Sequence, residues 1–209
     1  MHISEGVLSA PVLVAGGALA AAGTAYAVKK MDYDRVPQVA LVSCAFFVAS
    51  FIHLPVGPAS VHLVLNGLAG ILLGWAAFPA ILVALFLQGI LFQFGGLTTL
   101  GVNTLNMALP AVVCYILFGR LVRGPDTLLS ASSAFACGAL AVLLGGLMLA
   151  LSLVWSEESF LAVAKVALLA HLPVMVIEGI ITMLIVGFLK KVKPELLEAP
   201  YARPQSSNL

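Results

Sequence analysis

A chain of 209 residues suffices for one domain, but 62% hydrophobic residues against 9% charged, with a mean hydropathy of +1.13, exclude a soluble globular protein. A formal net charge of +1 without a clustered basic patch excludes nucleic acid as a partner. What remains is a polytopic membrane protein.

In chain order, the first feature is Met1-His2, ahead of any apolar span. A free amine at Met1, the deprotonated amide nitrogen of His2 and its ring Nδ1 can close a five-membered and a six-membered chelate ring on one ion. A second imidazole completes a planar four-nitrogen set, which suits Ni(II) and Cu(II). No basic leader precedes the first span, since the first basic residue is Lys29, so no cleaved signal peptide is expected, and the bulk of His2 favours retention of Met1.

Helical spans of about 17 to 25 apolar residues cross a bilayer. Seven are predicted, near Val7–Val28, Val36–His53, Ala59–Trp75, Phe78–Phe94, Thr104–Gly119, Leu128–Val154 and Lys165–Leu189. This crossing number puts Lys29, Lys30, Arg35, Arg120, Arg123, Lys190, Lys191, Lys193 and Arg203 on one face, with only Lys165 of the 10 basic residues opposite. The positive-inside bias then predicts an outside N-terminus and a cytoplasmic C-terminus. A single membrane domain over 1–193 and a flexible cytoplasmic tail over 194–209 are expected, the tail being poor in apolar residues. The small residues of Gly67–Gly74 and Ala15-Gly16-Gly17 let helices approach closely. Cys44, Cys114 and Cys137 form no C-x-x-C pair and read as small apolar packing residues.

The four histidines, His2, His53, His62 and His171, all fall near the outer ends of their segments in this topology. Ionisable groups within spans mark pathways and binding sites, and imidazole is the commonest protein metal ligand. His62 is the expected partner of His2, whereas His53, beside Pro55 and Pro58, reads as a solvated or capping residue. The run Gln93–Asn103 interrupts apolar sequence with glycines, threonines and an asparagine. Such backbone must be covered by protein, so it is expected as a lid, with Asn103 and Asn106 donating to the imidazoles or to carbonyls near them. Glu5 is expected to accept the remaining imidazole N–H. Glu178, seven residues beyond His171 and on the same helix face, is expected to lock neighbouring helices or relay protons.

These residues carry a resemblance. Met1-His2-Ile3-Ser4-Glu5-Gly6-Val7-Leu8, Gly57-Pro58-Ala59-Ser60-Val61-His62, the run Gly95–Ala108 and Glu178-Gly179 resemble the CbiM/NikM family, the substrate-capture (S) subunits of energy-coupling-factor (ECF) ABC transporters for cobalt and nickel. The resemblance covers Met1 to about Leu189. It implies an all-α, seven-helix membrane bundle in a prokaryotic cell membrane, its N-terminus folded back so that Met1, His2 and His62 hold Co²⁺ or Ni²⁺ as transported ligand, with no organic cofactor. Glu5, Asn66 and Asn103 would support the site, with Asn106, His171 and Glu178 as outlying members. It also implies a membrane coupling (T) subunit, two cytoplasmic ATPases and a small auxiliary membrane protein. The chain itself has no ATP-binding motif and is expected not to be an enzyme. Leu63–Leu68 lacks the Pro-Thr-Gly pattern of cobalt-side members, which leaves the choice of metal open. The alternative is a stand-alone proton-coupled metal carrier or channel working through His171 and Glu178. A hydrolase is disfavoured, because Ser60 near His62 sits in no Gly-x-Ser-x-Gly elbow.

Overall fold

A computed structural model describes residues 2–56 and 59–198, and the side chains among 53–61 are not described. Met1, expected as a metal ligand, and 199–209, expected as most of the tail, lie outside the described residues. Seven α-helices form the bundle: α1 (Ala10–Lys30), α2 (Val36–Ala49), α3 (Asn66–Leu73), α4 (Ala77–Phe92), α5 (Leu100–Arg123), α6 (Thr127–Ser156) and α7 (Leu161–Val192). The pattern is that of a membrane bundle: large apolar side chains such as Val14, Leu41, Ile90, Leu128 and Leu184 point outward, while Asn66, Gln88, Asn103, Thr104 and Glu178 are buried. Cys114 and Cys137 are buried as well, whereas Cys44 faces outward.

The predicted third span is the main departure. His53, expected to end the second span, instead begins strand β1 (His53–Val56), which pairs antiparallel with β2 (Ala59–His62), His53 opposite His62. Only after an extended stretch does α3 begin, and its eight residues are all buried. At 1.5 Å per residue such a helix covers about 12 Å, well under half of a hydrocarbon core. The remaining backbone is irregular, and its polar groups must find partners inside the protein. The strands pair with each other, Leu63 N–H donates to the Ile52 carbonyl at 3.1 Å, and the N–H groups of Val64 and Leu65 donate to the Glu178 carboxylate on α7. Leu65 at φ +57° and Gly74 at φ +54° bracket α3 with left-handed residues, so the chain turns sharply at both ends.

Glycines let α3 sit at the centre. A Cβ on Gly67 would lie 2.7 Å from Gly138 Cα of α6, and one on Gly70 would lie 2.2 Å from the Ala111 carbonyl oxygen of α5. Gly16 of α1 likewise receives Val102 of α5. These are the close approaches expected of small residues in membrane helices.

Basic side chains gather at one end of the bundle, in the last turns of α1 (Lys29, Lys30), α5 (Arg120, Arg123) and α7 (Lys190, Lys191). The expected tail does not begin at 194. Pro194–Leu197 forms a 3-10 turn with Leu197 only 3% exposed. Gln38 donates to the carbonyls of Leu72 and Leu196, Arg35 to that of Glu195, and Arg123 to that of Leu197. Three carbonyls of this last turn therefore dock it against α2 and α5.

Gly70→Ala should lower the thermal midpoint in detergent, by an overpacking cost of about 1–3 kcal/mol or more, because a backbone carbonyl cannot rotate away. Gly187→Ala on α7, whose Cβ would meet nothing within 4 Å, should leave the midpoint unchanged or raise it. Equal midpoints for both variants would refute the central packing of α3.

Candidate metal centre

At the end of the bundle opposite the basic cluster, residues 2–8 fold back before α1 begins. Ile3 anchors them, with its side chain 4% exposed and its backbone paired reciprocally to one side chain. Ile3 N–H donates to Asn103 Oδ1 and Asn103 Nδ2 donates to the Ile3 carbonyl, both at 3.0 Å. Thr99 Oγ1 adds a donation to the same carbonyl at 2.8 Å. Gly6 at φ +76° turns the chain, and Ser9 N–H donates to Ser156 of α6 at 3.1 Å. The first turn of α5 thus takes the place of a strand partner and satisfies backbone that membrane depth would otherwise leave unpaired.

This anchoring sets the His2 ring against His62, with centroids 4.9 Å apart and planes at 35°. His2 Nδ1 and His62 Nε2 face each other at 3.1 Å. The other nitrogens decide what the facing atoms carry. His2 Nε2 lies 2.7 Å from Gln88 Oε1, and the amide is oriented by Gln88 Nε2 donating to the Phe47 carbonyl at 3.4 Å. His62 Nδ1 lies 2.8 Å from the Leu63 carbonyl. An oxygen acceptor at each outer nitrogen holds the ring proton there, so an imidazole in its neutral form turns a lone pair inward. Burial holds the His2 ring down to about 4, so it is neutral at physiological pH. The result is two imidazole nitrogens facing each other at 3.1 Å.

The 93–103 run covers this pair. Gln93 ends α4 in the left-handed region at φ +57° and Gly95 continues at φ +80°. A Cβ on Gly95 would come within 3.6 Å of the His2 ring, and one on Gly96 within 2.2 Å of Glu5 Cγ. Phe94 stands 6.0 Å from the His2 ring centroid. The irregular part is shorter than expected, since α5 already begins at Leu100.

The structure separates the remaining candidates. Asn103 serves the carbonyl next to His2, but Glu5 does not accept from an imidazole. Its carboxylate accepts from Thr98 N–H and Oγ1, both at 3.1 Å, and the backbone donor holds the carboxyl below its usual range. Glu5 therefore ties the covering loop to the N-terminal segment. Asn106 pairs with Ser152 of α6, and Asn66 donates to the Ala141 carbonyl, so neither reaches the imidazole pair. His171 hydrogen-bonds within its own helix to the Ala167 carbonyl at 2.7 Å and packs over Gly146 of α6. Gln88 was missed. It is the one polar residue in the α4 sequence AFPAILVALFLQGILF, and a lone polar group in an apolar span is itself a signal. Among the described residues, no three His, Cys, Asp or Glu side chains converge as a metal site, so a metal held here needs backbone or terminal donors beside the two rings.

Comparison with known proteins places the chain in a family. Residues 2–196 match the CbiM family model, described as the cobalt uptake substrate-specific transmembrane region. A putative metal transport protein of Haemophilus influenzae is 44% identical over 200 residues, 94% of this chain and 97% of the relative. A cobalt transport protein CbiM of Sorangium cellulosum is 31% identical, with 95% of each chain covered. The crystal structure of a truncated transition metal transporter superposes with a TM-score of 0.72 at 29% identity, over 91% of this chain and 99% of that one. The chain belongs to the CbiM family of cobalt and nickel transport proteins.

Proposed function

We propose that this protein captures Ni²⁺ or Co²⁺ as the substrate-binding membrane subunit of an ECF-type transporter, holding the ion by the Met1 amine, the His2 amide nitrogen, His2 Nδ1 and His62 Nε2. The observation that carries this reading is the facing of His2 Nδ1 and His62 Nε2 at 3.1 Å, with both ring protons engaged elsewhere. Two nitrogens about 2.0–2.1 Å from one metal are separated by roughly 2.9 Å when cis and 4.1 Å when trans. The observed spacing fits adjacent corners of a planar set, and the amine and amide fill the two remaining corners in chelate sequence. Planar four-nitrogen coordination suits Ni(II), while the affinity order favours Cu(II) over both cargo ions, so selection in the cell rests on geometry and availability.

The incoming hydrated ion exchanges water for nitrogen and expels the amine and amide protons. The basic end of the bundle then faces the cytoplasm and the imidazole pair faces outside. A membrane coupling subunit and two ATPases supply the energy that this chain has no motif to harvest, with a small auxiliary membrane protein beside them. Relatives named fused CbiMQ and fused NikMN transport proteins support membrane partners of this kind. The carrier reading loses support, because His171 is bonded within its own helix and Glu178 is occupied by backbone amides.

An extension of a few residues ahead of Met1, or His62→Ala, should reduce nickel affinity at least a hundredfold in equilibrium dialysis. Unchanged affinity of the extended protein would rule out the chelate. Gln88→Leu removes the acceptor that fixes the His2 tautomer and should cost about 10–100-fold, while Gln88→Glu, which keeps the acceptor, should lose much less; equal losses in the two would refute that role. Because burial keeps the His2 ring neutral down to about pH 4, the pH dependence above pH 7 should come from the Met1 amine and the His2 amide. Amide ionisation releases one proton, and an amine of ordinary pKa near 8 releases a second below that pH. The logarithm of the apparent affinity should therefore rise with pH, its slope falling from about two near pH 7 to about one near pH 9. A chelator-competition titration that is flat over this range would contradict the donor set.

A further inference from the structure

The two imidazoles are held by different parts of the bundle. His2 is fixed from α4 and α5, through Gln88, Asn103 and Thr99. His62 ends β2, and three residues separate it from α3, the last of them Leu65 in the left-handed region. Along that stretch the Leu63 N–H reaches Ile52 next to the hairpin. The next two N–H groups, of Val64 and Leu65, both converge on Glu178. Its Oε1 accepts from Val64 and, at 2.9 Å, from Leu65, while Oε2 lies 3.0 Å from the Leu65 nitrogen.

Glu178 is fully buried, and no Lys or Arg is ion-paired with it among the described residues. A carboxyl so placed is costly unless hydrogen-bonded, and the donors it has are the backbone N–H groups of Val64 and Leu65, just ahead of α3. Its own helix is clamped at this level: a Cβ on Gly138 of α6 would lie 2.6 Å from the Glu178 carbonyl, and one on Gly179 would lie 2.9 Å from that of Phe135. The carboxylate therefore fastens the extended chain that carries His62 to a point on α7 that cannot drift relative to α6.

We infer that Glu178 is the positioning residue of the metal site, setting where His62 Nε2 stands relative to His2 Nδ1 and so linking occupancy of the site to α7. This rests on the capture reading above. The ion bridges two separately anchored segments, and a shift of α7 against α4 and α5 pulls one donor from the coordination plane.

The test compares nickel affinity and the visible absorption of the nickel-loaded full-length protein for Glu178→Ala, Glu178→Gln and His62→Ala. Glu178→Ala should weaken binding roughly ten- to a hundredfold, the range of outer-shell substitutions, and move the absorption band to longer wavelength, onto that of His62→Ala, as water replaces the imidazole. Glu178→Gln keeps an acceptor oxygen and should restore the parental band. A purely structural role would lower the thermal midpoint and leave the band in place, so parental affinity and band in Glu178→Ala overturn the inference. Should Glu178→Ala not fold, Glu178→Asp decides. Its carboxylate, withdrawn by one methylene, should bind nickel at least fivefold more weakly, and parental binding overturns the inference. Failure of the capture reading itself is separate, since the parental protein would then bind no nickel.

Discussion

The arrangement at the metal end depends on two lone pairs pointed at each other. Neutral imidazoles gain nothing from facing one another through their acceptor nitrogens, so the surroundings must enforce it. They do so by giving each ring proton an oxygen on the far side, Gln88 Oε1 for His2 and the Leu63 carbonyl for His62. Each of these acceptors is fixed in turn, Gln88 by Phe47 and Leu63 by Ile52. The short reciprocal pairing of Ile3 with Asn103 then holds the N-terminal segment at a depth where free backbone groups would be expensive.

The same expense explains the third crossing. A full apolar helix from Ala59 onward would satisfy its own backbone, but it would place His62 on a helix surface whose position follows from helix packing. The hairpin and extended stretch place it independently, at the cost of backbone groups that need partners. The paired strands, Ile52 and the Glu178 carboxylate supply them. The short α3 is what remains, and its glycines at 67 and 70 press it between α5 and α6, where a longer side chain would not fit.

Much of this was legible in the sequence and some was not, for physical reasons. Hydropathy reports the free energy of placing a segment in hydrocarbon, so it located six of the seven helices and the end of the bundle that carries the basic residues. The chelating residue types at His2 and His62 were visible as chemistry. Hydropathy is blind to whether an apolar stretch satisfies its backbone by helix or by tertiary partners, which is why Ala59–Trp75 read as one span. It is equally blind to lateral placement. Glu5 and Gln88 are both polar groups near the right depth, and only packing decides that Thr98 takes the first and the imidazole the second. The last turn, Pro194–Leu197, has a polar, proline-bearing composition that resembles a frayed tail, yet three carbonyl acceptors and one buried leucine suffice to dock it.

The chemistry of the pair also bears on which ions it ignores. The acidic group in the fold-back, Glu5, is committed to Thr98. Ca²⁺ and Mg²⁺ require oxygen ligands and part with water reluctantly. The proposed donor set, two imidazoles completed by an amine and one amide anion, would offer them neither the oxygens nor enough charge to offset dehydration. For a late transition metal the balance reverses, because nitrogen donors stabilise it strongly and a single amide anion leaves the complex with one positive charge instead of two. Discrimination against the abundant hard cations is therefore built into the donor type, and the covering loop and the separate anchoring of His62 bear only on the choice among ions that accept nitrogen.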